Sequence, residues 1–205
     1  MSASEALIIF VKNPELGKVK TRLAKTIGDE KALEVYLQLM KHTREVVSAL
    51  SVDKHLFYSQ TIAENDLWPS EVFTKHIQDE NPDLGAKMNT AFKTLMSYQK
   101  CLIVGSDCPQ ISEEIINDAY SKLENIPVVI GPALDGGYYG IGFNAELIGR
   151  DRYLTFLEDI FLNKTWSHEN VLKEAEESAE RFDLEIAKLP PLSDLDYEED
   201  LQYLK

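Results

Sequence analysis

The chain has 205 residues, 44% of them hydrophobic, with ten glycines, eight prolines and two cysteines. A chain this long buries roughly 70% of the surface it exposes when unfolded, enough to fold as one domain over 1–205 without a metal or disulfide staple. A net charge of −14 opposes binding to an extended nucleic-acid backbone, yet the bases Lys12, Lys18, Lys20, Arg22 and Lys25 cluster where a small phosphorylated ligand would want them.

In chain order, the first strand reads as Leu7–Lys12. The apolar run that enters it, Ala6–Val11, is short and has no basic stretch before it, so it does not read as a secretory signal. No window approaches the ~20 apolar residues of a membrane span. Cys101 and Cys108 form no disulfide framework and suit a reducing compartment, so the expected location is cytoplasmic. A helix follows at Glu30–Leu50, where Ala32, Leu33, Val35, Tyr36, Leu39, Met40, Val46, Val47 and Leu50 form a 3.6-period stripe. Strands at His55–Ser59 and Val72–His76, a helix at Leu84–Ser97 and a strand at Cys101–Gly105 come next. The remainder reads as a helix at Glu113–Leu123, strands at Val128–Gly131 and Tyr138–Phe143, a helix at His168–Arg181 and a strand at Leu184–Leu189. Ser112 and Ser167 stand where N-caps are expected. Strands and helices alternate, and the strands are continuous apolar runs. Together these indicate an α/β fold with a largely parallel sheet covered by helices on both faces, whose ligands bind beyond the strands' carboxyl ends.

Four segments just past strands carry unusual residues. Lys12–Leu23 is a Pro/Gly loop with several bases, in which Arg22 can fork onto a phosphate while Lys12 and Lys20 act as point charges; a solvated basic turn is the plainer alternative. It is neither a P-loop nor a G-x-G-x-x-G turn. In Gly105-Ser106-Asp107-Cys108-Pro109 the aspartate sits at a strand tip, placed to hold Mg²⁺ or Mn²⁺ on a ligand's phosphates, or else to close a turn on its own backbone. Gly105 permits close approach of a ligand, and Cys108 reads as a small buried filler. Gly131–Gly140 combines Asp135, Gly136 and Gly137 with two tyrosines, a loop against which a sugar-like group can rest, or simply a turn. In Ser193–Leu201, Asp196 with Glu199 reads as a capping box, or Asp196 completes a cation site with Asp107. No Ser/His/Asp or Cys/His set, CxxC pair or HExxH occurs, and the four histidines are scattered.

The ordered segments IFVKNPELGKVKTRL, NPDLGAKM, GSDCP, GPALDGGYYGIGF, TWSHENVL and SDLDYEEDL span nearly the whole chain. In them the sequence resembles a glycosyltransferase-like family of bacterial GT-A-fold proteins, often labelled domain of unknown function 2064. Some of its members are named transferase 1 associated with radical-SAM/selenodomain proteins, or glycosyltransferases of arsenosugar biosynthesis. The resemblance implies a Rossmann-like, mostly parallel mixed sheet of nucleotide-diphospho-sugar transferase type. It places Asp107 at the position of the metal-binding aspartate, in Ser-Asp-Cys rather than Asp-x-Asp, with a second metal ligand at Asp196 or Asp194. Lys87 stands where the pattern has arginine. The implied activity is metal-dependent transfer from a nucleotide sugar to a small-molecule acceptor, with Mg or Mn as cofactor. Lys12, Gly17, Lys20, Arg22, Gly105, Ser106, Gly136 and Gly137 would hold the substrate, and Asp135 would orient or deprotonate the acceptor hydroxyl. Trp166 and His168 either wall the acceptor pocket or are, respectively, core and first-turn residues. The K-T-R-L loop also resembles that of 2-phospholactate guanylyltransferases, which makes a nucleotidyltransferase acting on a nucleoside triphosphate the alternative. A nucleotide-binding module without catalysis is a third reading.

Overall fold

A computed structural model describes residues 4–204. One seven-stranded sheet organises them, built from β1 (Glu5–Val11), β2 (Asp53–Tyr58), β3 (Phe73–Ile77), β4 (Lys100–Gly105), β5 (Val128–Pro132), β6 (Tyr138–Asn144) and β7 (Ile186–Lys188). The spatial order is β3-β2-β1-β4-β6-β5-β7. β1 pairs in parallel with both β2 and β4, and β3 with β2. β6 is antiparallel to both its neighbours, β4 and β5, so the sheet is mixed, and β7 returns parallel to β5.

Period-2 alternation in β1 sorts its side chains onto two cores. Leu7, Ile9 and Val11 face one, covered by Tyr36, Met40 and Val47 of α2 (Asp29–Ser48) and by Ile116, Ala119 and Leu123 at α4 (Glu113–Lys122). Ala6 and Ile8 face the other, under Met88 and Phe92 of α3 (Leu84–Thr94), Phe156 and Ile160 of α6 (Tyr153–Phe161), and Ala175 and Ala179 of α7 (Val171–Arg181). Burial on both sides explains why the strands read as unbroken apolar runs, each fully buried Leu or Ile contributing roughly 1.5–3 kcal/mol. A third cluster joins Leu23 of α1 (Thr21–Ile27) to Val35 and Leu39 of α2 and to Leu195. It anchors the C-terminal segment beside the first loop. No helix among the described residues is long and apolar enough to cross a membrane.

All seven expected strands form. Ser112 caps α4, accepting from the Ile115 N–H. Ser167 caps nothing: it lies in a loop at φ 65°, and α7 starts later, behind Asn170. Three helices have no counterpart among the helices read from the sequence: the short α1, which continues the basic loop, α5 (Ala145–Ile148), a single turn, and α6, whose five buried residues in nine leave little polar face. Asp196 is likewise not a helix cap. The closing 3₁₀ turn, Glu198–Tyr203, has Tyr197 at its N-cap, and Asp200 accepts from the Tyr197 N–H at 2.8 Å and the Asp196 N–H at 2.9 Å.

Candidate functional site

The carboxyl ends of β1 and β4 open into a cleft of about 840 Å³ whose lining includes Ser59, Gln78, Trp166 and Asp196. Its charged centre is built by three segments far apart in sequence. Leu195 N–H donates to the Asp107 carbonyl at 3.0 Å, and Ser193 N–H to the Gln110 side chain at 3.0 Å, which fastens the C-terminal segment onto the turn after β4. That seam sets Asp194 and Asp196 beside Asp107.

Lys20 enters from the first loop. Its backbone is left-handed (φ 47°), which turns the side chain inward, and only 3% of that side chain is exposed. Its ammonium lies 2.7 Å from Asp107 Oδ1 and 3.4 Å from Asp196 Oδ1. Arg22 donates to the other oxygen of Asp196 at 2.8 Å. Asp196, free of capping duty, is therefore held by two cations. Burial pushes the Asp194 carboxyl up to about 7, the neighbouring Asp107, Asp135 and Asp196 add to the rise, and Lys20 opposes it. The site thus carries more carboxylate charge than its two engaged cations offset.

Among the described residues no three ligating side chains converge on one point. The oxygens of Asp107 and Asp196 are nonetheless hard donors of the kind that Mg²⁺ or Mn²⁺ takes, with Asp194 adjacent, and a cation there competes with Lys20 for them. The chemistry of the donor set fits such an ion.

The floor is polar and fixed. Tyr36 Oη accepts from the Lys12 N–H at 2.8 Å, donates to the Lys12 carbonyl at 3.0 Å, and lies 3.4 Å from Ser106 Oγ. Gln78 donates to the Phe57 carbonyl at 3.0 Å. A Cβ built on Gly105 meets no atom closer than 4.0 Å, so this strand tip is open toward the cleft.

Of the residues expected at the site, Lys12, Arg22, Gly105, Ser106, Asp107, Asp135, Gly137 and Asp196 line this cleft, as do Trp166 and His168, and Lys20 lies against Asp107 within it. Gly17 and Gly136 shape loops instead. Gly17 turns at φ 74°, and Gly136, at φ 90°, lies so close to Glu169 that a Cβ would come 2.2 Å from its carbonyl oxygen. Lys18 pairs with Glu15 at the surface, and Lys25 sits in the last turn of α1. The Asp135 carboxylate accepts from the Gly137 N–H at 3.0 Å. Cys108 is buried, its thiol pushed up to about 12 mainly by burial, in keeping with a filler role. Sequence reasoning passed over Tyr36 and Gln78. A tyrosine hydroxyl on an otherwise apolar stripe requires a buried partner, and that was the available signal.

No curated protein matches this sequence. Among solved structures, one from Desulfovibrio desulfuricans G20, provisionally named a nucleotide-diphospho-sugar transferase, is 31% identical, with a TM-score of 0.85 over 99% of this chain and 87% of its own. The inositol-1-phosphate CTP transferase of T. maritima is similar in fold at 11% identity, TM-score 0.60, over 98% of this chain and 92% of its own. So is the 4-diphosphocytidyl-2C-methyl-D-erythritol synthase of Anaerococcus prevotii DSM 20548, at 12% identity and TM-score 0.57, over 98% and 94%. The mixed sheet with helices on both faces is thus the Rossmann-like fold shared by these transferases. A family model described as "Uncharacterized protein conserved in bacteria (DUF2064)" matches residues 42–168, well over half of the chain, and the protein belongs to that family.

Proposed function

We propose that this protein is a metal-dependent transferase that takes a nucleotide-diphospho-sugar and passes the sugar to a small acceptor. The observation that carries the reading is Lys20, buried between Asp107 and Asp196 with Arg22 alongside, at the strand ends where α/β sheets bind ligands. When bound at Asp107 and Asp196, Mg²⁺ or Mn²⁺ would offset charge on the diphosphate leaving group. Lys12, Lys20 and Arg22 share that charge as the anomeric carbon–oxygen bond breaks and the nucleoside diphosphate departs. Asp135, at the cleft mouth, orients the acceptor hydroxyl and takes its proton as the new glycosidic bond forms. The Ser106 and Gly105 backbone and the loops turned by Gly17, Gly136 and Gly137 position the donor.

The alternative chemistry is nucleotidyl transfer from a nucleoside triphosphate, favoured by the concentration of Lys20 and Arg22 on one side of the cleft. Both readings are tested by a thermal-shift panel of nucleoside di- and triphosphates and nucleotide sugars, with and without Mn²⁺. Ligands that bind only the native state raise its Tm with ln(1 + [L]/Kd). Product analysis then decides: a nucleoside diphosphate marks glycosyl transfer, pyrophosphate marks nucleotidyl transfer, and binding without product marks a module that has lost catalysis. No stabilisation by any nucleotide refutes all three.

A further inference from the structure

Part of the cleft is walled by Tyr138, Trp166, Leu84, Met88 and Val171 beside Lys87. Tyr138 and Trp166 meet edge to face, their ring centroids 6.4 Å apart. Two separated motifs make this wall: a Cβ on Gly85 would come 2.7 Å from Trp166, so the indole lies directly on the first turn of α3. The polar atoms of the two aromatics, Tyr138 Oη and Trp166 Nε1, are buried away from the cleft, the indole nitrogen lying over Gly85, so it is the apolar parts of the two side chains that line it.

Lys87 supplies a cation beside this wall. Lys20 and Arg22 are engaged by carboxylates, whereas Lys87 makes no ion pair among the described residues. The nearby Asp79, whose carboxyl is held low chiefly by the Asn81 N–H and Thr90 and only lastly by Lys87, spends its oxygens on those two partners. An aromatic wall and an ammonium without an ion pair describe one kind of ligand.

We propose that this part of the cleft is the acceptor subsite, and that it takes a small hydroxylated compound bearing an anionic group: the rings of Trp166 and Tyr138 pack against its carbon skeleton, and Lys87 receives its phosphate or carboxylate. The assignment rests on the transferase reading above.

Trp166 is its own reporter, because the other tryptophan, Trp68, is fully buried against Phe73. Wild type, Trp166→Phe and Lys87→Met are titrated with glucose 6-phosphate, gluconate and glucose. Each titration is run alone and with the nucleoside diphosphate that stabilises the protein most, followed by fluorescence and calorimetry. Glucose 6-phosphate or gluconate changes the wild-type emission, glucose binds at least tenfold more weakly, Trp166→Phe shows no change in emission, and Lys87→Met loses at least tenfold in affinity. A response to glucose 6-phosphate alone identifies a phosphorylated acceptor; a response to gluconate alone identifies a carboxylated one. If nucleotide binds but no probe moves the emission, or charged and neutral probes bind alike, or Lys87→Met binds as wild type does, the subsite is overturned while the transferase reading stands. If probes bind and no nucleotide does, the subsite survives without its transferase.

Discussion

The Lys20 ammonium sits 2.7 Å from a carboxylate oxygen of Asp107, with its side chain almost wholly buried and its backbone left-handed. A non-glycine residue in that region costs ~1–2 kcal/mol, so the position holds strain that the ion pairs offset. Lys20→Ala and Lys20→Gly both remove the ammonium, but only glycine relieves the backbone. Chemical denaturation should therefore find Lys20→Gly more stable than Lys20→Ala by about 1 kcal/mol. Both variants should bind nucleotide at least tenfold more weakly than wild type. Equal stability of the two would show that the left-handed turn carries no strain.

Capping and ligand binding are divided between two nearby aspartates. Asp200 accepts the N–H groups of Asp196 and Tyr197, so Asp200→Ala should cost about 1 kcal/mol of stability, measured by urea denaturation. Asp196→Asn keeps a similar shape and should change stability little, while weakening Mn²⁺-nucleotide binding in calorimetry. The reverse pattern would return Asp196 to a structural role.

The alternation of apolar strands and amphipathic helices made the sheet legible in the sequence, and Asp107, Lys20 and Arg22 stood out because they follow strands in an otherwise acidic chain. The pairing of β6 antiparallel between β4 and β5 was not legible, since a strand buried on both faces reads the same in either direction. One of the two readings of Asp196, as a cap, arises because its spacing to Glu199 imitates a capping box; the residue that accepts those N–H groups, Asp200, lies one position further on. The contact of Gly85 with Trp166 depends on tertiary packing of α3 against the loop after α6, which local pattern does not encode.

That contact makes its own prediction. A Cβ on Gly85 would come 1.9 Å from the Phe161 carbonyl and 2.7 Å from the Trp166 ring. Gly85→Ala should destabilise the protein by roughly 1–3 kcal/mol, as overpacking does, and shift the Trp166 emission. An alanine variant with wild-type denaturation and fluorescence would mean that the indole does not rest on this helix.

A histidine chain on the β2–β3 side sets a pH dependence. His55 Nδ1 lies 3.0 Å from His76 Nε2, its other nitrogen 3.1 Å from Tyr98 Oη, and Tyr98 donates to Asp53 at 2.8 Å. Burial, reinforced by His76 and opposed by Asp53, lowers His55 from 6.5 to about 4. The unfolded chain therefore binds the extra proton between pH 6.5 and 4, and stability falls as the pH drops through that window. The loss attributable to His55 should be on the order of 1–3 kcal/mol, read as the difference between wild type and His55→Gln across the window. Parallel pH profiles for the two proteins would remove His55 from the account.

The central claim is that the cleft at the ends of β1 and β4 holds a cation and a nucleotide diphosphate through Asp107. Calorimetric titration of wild type and Asp107→Asn with the nucleoside diphosphate that stabilises the protein most, with and without Mn²⁺, tests it most directly. Wild-type affinity should rise at least tenfold on adding Mn²⁺, and Asp107→Asn, shown by its circular dichroism to be folded, should show no such gain. The same Mn²⁺-dependent affinity in both proteins would contradict the account.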